Sequence, residues 1–131
     1  MFHYHSIQTE ADIARFDEVS NGLHDGHIIQ VDYRNTGISC CDGGLQFDYD
    51  GLSLTIHVLV TSLPGHPTFE LLFHNVPEWQ IRQYQFFDMI GFSIVRLDNG
   101  YFLWADDISS HMEDLKQGSY VIAGSIRWRK L

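Results

Sequence analysis

The sequence predicts a mainly β, α+β chain: an antiparallel β-sandwich or partly closed barrel with an N-terminal amphipathic helix and one short C-terminal helix. Three observations predict it. Asp50-Gly51 and Asn99-Gly100 are dipeptides of the tight type I′ hairpin turn, whose two central residues must take φ > 0. The segments beside them alternate apolar and polar residues with the period of two that a half-buried strand requires. Helical spacing is confined to two short stretches, each opened by a capping residue and stopped by a glycine.

The elements follow in chain order. Thr9-Glu10-Ala11-Asp12 is an N-cap with acid in the first turn, and Ile13, Phe16, Val19 and Leu23 continue at near-helical spacing until Asn21-Gly22. Residues 27–33 alternate, with Ile29, Val31 and Tyr33 on one face, and Asn35-Thr36-Gly37 turns the chain. Residues 43–60 read as a hairpin fixed from both ends. Around Asp50-Gly51, Tyr49 flanks Leu52, Phe47 pairs with Leu54 and Leu45 with Ile56, while Asp48 with Ser53 and Gln46 with Thr55 form the polar face.

Leu63-Pro64-Gly65-His66-Pro67 is a loop, Phe69, Leu71 and Phe73 mark the next strand, and Trp79 and Ile81 a short one. Residues 83–88 fit neither period. Around Asn99-Gly100, Asp98 pairs with Tyr101, Leu97 with Phe102 and Val95 with Trp104. Both faces of that hairpin are apolar, which places it centrally in its sheet or beneath the N-terminal helix. Ser110-His111-Met112-Glu113 has the spacing of a capping box for a short helix ended by Gly118, and residues 120–128 form a last strand. Without repeat, low-complexity tract or polar linker, residues 1–131 read as a single domain of about seven or eight strands.

Composition narrows the function classes. The chain has 131 residues, 44% hydrophobic and 14% aromatic, enough for a core that needs neither metal nor disulfide staples. Seventeen acidic against eight basic side chains give a formal charge of −9, which disfavours binding to a nucleic-acid backbone and attracts a basic partner. No apolar run is long enough to span a bilayer and no secretory signal opens the chain, so the expected location is cytoplasmic, without a membrane partner. Cys40 and Cys41 are adjacent and point to opposite strand faces, as reduced structural thiols do.

His24-Asp25 entering an Ile-rich strand that ends in Tyr33, Phe69-Glu70-Leu71-Leu72-Phe73 followed by Val76, Leu103-Trp104-Ala105-Asp106, and Ile126-Arg127-Trp128-Arg129 together resemble a family of small bacterial proteins of no known function. The likeness spans most of the chain from residue 16 onward and implies one intact domain. It implies no activity, ligand or catalytic residue. Gly26 departs from the family pattern, where a small polar residue follows the His-Asp pair.

Candidate sites come from the residues themselves. His24 and Asp25 are the catalytic candidates, because an Asp holding one imidazole nitrogen sets the other as base or ligand. The same pair also reads, without any chemistry, as a turn in which Asp25 accepts backbone N–H bonds beside Gly26. His3 with His5 and His24 with His27 have metal-ligand spacing but lack the third ligand, so neither metal nor cofactor is expected. Trp104 and Asp106, with Arg127 and Arg129, are the ligand-binding candidates. As a ligand site the two arginines would grip a carboxylate or phosphate; as structural residues they would blunt an edge strand, and Asp106 would take the Trp104 indole N–H.

No acyl-transfer, phosphate-loop or dinucleotide motif occurs. The leading expectation is a non-enzymatic protein-interaction module whose acidic surface binds another, basic protein in the manner of an immunity protein or antitoxin. The alternative is a small-molecule binder or enzyme with a pocket near His24 and Asp25. The apolar surplus on the second hairpin also admits a homodimer.

Overall fold

A computed structural model describes residues 3–41, 43–47, 51–82 and 88–131. In chain order these form β1 (His5–Ile7), α1 (Glu10–Ser20), a 3-10 turn (Asn21–Leu23), β2 (Gly26–Asn35), β3 (Ile38–Cys41), β4 (Gly44–Phe47), β5 (Leu52–Val60), β6 (Thr68–His74), β7 (Glu78–Gln80), β8 (Ser93–Arg96), β9 (Phe102–Ala105), α2 (Met112–Leu115), β10 (Tyr120–Ala123) and β11 (Ser125–Lys130). One sheet has the order β1-β11-β6-β5-β2 and a second β7-β10-β9-β8, while β3 and β4 pair apart from both. The architecture is mainly antiparallel β, and the sheets do not close into a barrel, which leaves the sandwich of the two expected forms.

Alternation along the strands builds the core. Leu54, Ile56, Val58 and Val60 of β5 and Phe69, Leu71 and Phe73 of β6 are fully buried, facing Trp104 and Val121 of the second sheet. The Phe73 and Trp104 rings, 5.9 Å apart, join the two layers. α1 closes one end by inserting Phe16 between Phe69, Phe92 and Trp128, at ring separations of 6.2, 5.0 and 5.0 Å. It begins at Thr9 as expected, with a reciprocal box: Asp12 N–H donates to Thr9 Oγ1 and Thr9 N–H to the Asp12 carboxylate.

Several expectations need correction. The hairpin read across residues 43–60 does not form between β4 and β5. Leu54 pairs with Tyr33 and Phe73, and Ile56 with Val31 and Leu71, so both edges of β5 are already taken. β4 pairs instead with β3, Cys41 opposite Gly44 and Ile38 opposite Phe47. Tyr49 and Asp50 lie outside the described residues. Gly51 is a tie to the end of β2: its carbonyl accepts from Thr36 N and Oγ1 at 2.9 and 3.0 Å.

The second hairpin exists but is shifted by one residue, with Ile94 opposite Trp104 and Val95 opposite Leu103. Leu97 N–H donates to Tyr101 O and Gly100 takes φ +87°, a three-residue loop in place of the two-residue turn. Its second apolar face is covered by Met112 and Leu115 of α2, not by α1. α2 itself lacks the Ser110–Glu113 box; Ser109 Oγ accepts the His111 N–H instead. The last strand is two strands, because Gly124 carries the chain from β10 in one sheet to β11 in the other. A bulge between Ile28 and Gln30 turns Ile28 onto the core and leaves Ile29 54% exposed, breaking the face read for Ile29, Val31 and Tyr33.

Gly26 is hemmed in on both sides, paired with Val60 and bridged to Met89. A Cβ there would sit 2.6 Å from Leu23 O and 2.9 Å from Val58 Cγ1. Gly26→Ala is therefore expected to cost about 1–3 kcal/mol in urea unfolding, and an unchanged midpoint would show that the junction yields.

Candidate functional site

The densest polar cluster lies on the outer face of the five-stranded sheet. Register brings His57 of β5, Glu70 of β6 and Arg129 of β11 into one row, directly opposite one another. Glu70 is 6% exposed. Arg129 donates to both its oxygens, Nε to Oε1 and Nη2 to Oε2 at 3.2 Å each. His57 Nε2 lies 3.0 Å from Oε2, and the Tyr4 hydroxyl donates to Oε1.

Burial acts to raise the Glu70 carboxyl, and the hydrogen bonds from Tyr4, Arg129 and His57 outweigh it, holding it below the usual carboxylate range. A carboxylate offers about four acceptor sites, and all are filled. A general base or ligand needs an open one. The row is thus a fastener: it ties Tyr4 and the β1 edge across β11 to the middle of the sheet. A smaller version joins β7 to β10, where Tyr120 donates to Glu78 at 2.7 Å beside Lys116 at 2.9 Å, and the Tyr120 hydroxyl is pushed up to about 12 by burial and by Glu78.

The residues singled out in the sequence are dispersed. His24 and Asp25 occupy the turn from α1 into β2, with side chains 50% and 46% exposed. Backbone bonds hold the turn: Asp25 N–H donates to Met89 O at 2.8 Å, and His24 O and Asp25 O accept from Ser62 Oγ and Thr61 Oγ1. The His24 ring spends Nδ1 on Ile90 O at 3.0 Å, leaving Nε2 3.8 Å from Asp25. A cleft of about 440 Å3 lies elsewhere, lined by Tyr4, His5, Ser6, Asp12, Arg15 and Trp128.

Trp104 is fully buried and its Nε1 has no partner among the described residues. Asp106 does not serve it, because Oδ1 accepts the Ser119 N–H at 3.1 Å. Burial raises the Asp106 carboxyl against that bond. A raised folded-state value means that ionising Asp106 costs stability, so Asp106→Asn should be more stable than the parent at neutral pH. The gain should vanish below the ordinary carboxylate value, where both states carry the proton. A urea midpoint lowered by the substitution at pH 7 would contradict this.

Arg127 and Arg129 share the outer face as read, but β11 is an interior strand, so they blunt no edge. Arg129 grips a carboxylate, that of Glu70 in the same chain. Both guanidinium groups lie over the Tyr4 ring, at 5.8 and 4.7 Å from its centroid. Among the described residues no three His, Cys, Asp or Glu side chains converge as a metal centre would require.

A different feature occupies the end of the sandwich beside His24. Ile90 and Ile108 are 65% and 64% exposed. Their segments meet at Gly91, where a Cβ would lie 2.4 Å from Ile108 Cδ1. Around them stand Asp25, Asp88 and Asp107, with Asp88 3.1 Å from His27. No single stretch of sequence signals this surface, because its parts come from the α1–β2 turn, the segment before β8 and the loop after β9.

No protein-family model, curated protein or solved structure matches the chain. The functional reading therefore rests on this geometry and charge. No helix is long and apolar enough to cross a membrane among the described residues.

Proposed function

We propose that the chain is a non-enzymatic, cytoplasmic protein-interaction module whose acidic surface captures a basic protein, as an immunity protein or antitoxin does. One observation carries the reading: among the described residues most carboxylates meet no Lys or Arg. Among the described residues, Lys and Arg side chains come within 4.0 Å of Asp32, Glu70 and Glu78 alone. α1 presents Glu10, Asp12, Asp17 and Glu18 against a single Arg15. A surface of one sign raises the encounter rate of an oppositely charged partner and rejects anionic ones. The saturated Glu70 row supports the same reading, since the best-organised polar group is spent on holding the sheet.

The test is capture from a host lysate on the folded, tagged chain, with elution in rising salt. A stoichiometric basic protein released by salt is the expected outcome. A folded bait that retains nothing, or retains a partner regardless of salt, would contradict it.

A further inference from the structure

We infer that Ile90 and Ile108 are the apolar anchor of the interface, seating a basic segment of the partner that carries an aliphatic side chain between cationic ones; this rests on the interaction reading above. Isolated exposed isoleucines are ordinary, but these two come from separate segments, and Ile108 lies against Gly91, the residue that follows Ile90. Gly91 is buried, and lacking a side chain it lets Ile108 lie against its backbone.

The segment under Ile90 is equally fixed. Met89 exchanges backbone bonds with Gly26 and Asp25 at 3.1 and 2.8 Å, and Ile90 O faces His24 Nδ1. The anchor is thus set before binding, which lowers the ordering cost of association.

The rim decides what docks. Asp25 and Asp88 have side chains about half exposed, and Asp107 adjoins Ile108. On the α1 side, Asp17 Oδ1 lies 3.0 Å from the Cβ position of Gly22, and Gly22 O lies 3.7 Å from the Cβ position of Gly91. No Lys or Arg pairs with any of these four carboxylates among the described residues. An apolar centre flanked by carboxylates whose nearest cationic partners are the histidines His24 and His27 complements an aliphatic residue flanked by Lys or Arg, with the rim steering and the centre supplying affinity.

The probe is a synthetic peptide of alternating lysine and leucine, with a lysine and serine peptide as control, titrated into isotopically labelled protein and followed by amide chemical shifts. The expected result is saturable shifts at Ile90, Gly91 and Ile108 with the leucine peptide. Ile90→Ser with Ile108→Ser should weaken that binding about tenfold or more while keeping the parent unfolding midpoint. Asp25→Asn with Asp88→Asn, which leaves the anchor intact, should weaken it and flatten its salt dependence. Salt-dependent shifts confined to α1 would overturn this interface and leave the acidic-module reading standing. Absence of salt-dependent binding by either peptide would overturn both.

Discussion

Glu70→Ala is expected to lower the unfolding free energy by about 3 kcal/mol at neutral pH, because it leaves Arg129 and His57 without the charge they surround. The figure is taken at the low end for breaking a buried pair, since the Arg129 side chain is 26% exposed and retains some water. The loss has a pH signature. The Glu70 carboxyl is held below its ordinary value in the folded state, so its contribution is complete above that ordinary value and declines as pH falls through the lowered one. Urea unfolding of parent and Glu70→Gln should therefore differ at pH 7 and converge in acid. A difference that stays constant or widens as pH falls would mean that the row does not stabilise through charge.

Trp104→Ala should cost about 4 kcal/mol, the price of emptying a fully buried indole site between the sheets. Trp104→Phe should cost no more than about 1.5 kcal/mol, because Nε1 has no hydrogen bond among the described residues to lose. The comparison isolates packing from polarity at one position. If the phenylalanine variant is as unstable as the alanine one, the indole N–H has a partner whose loss dominates.

The limits of legibility follow from range. Thr9 and Asp12 are three residues apart, so the start of α1 is visible in the sequence. The apolar alternation of Phe69, Leu71 and Phe73 likewise names the face of β6 that is buried. The Asp50-Gly51 signal misled because a turn dipeptide expresses only local preference, whereas β5 gains partners along both edges from β2 and β6. Asn99-Gly100 located the second hairpin and missed its register by one, since a third loop residue, Asp98, joined the turn. Glu70 was hidden for the same reason: His57, Arg129 and Tyr4 stand 13, 59 and 66 residues from it, and cross-strand register alone unites them. Ile90 and Ile108 carry no motif, and they become a surface when Gly91 brings their segments together.

The acidic-module account is tested most directly by the rate at which the captured basic partner associates with the chain from about 50 to about 500 mM salt. Electrostatic steering predicts that the association rate constant falls about tenfold or more across that range while the dissociation rate changes little. An association rate indifferent to salt would show that the surface carboxylates do not guide the encounter, and would contradict the account.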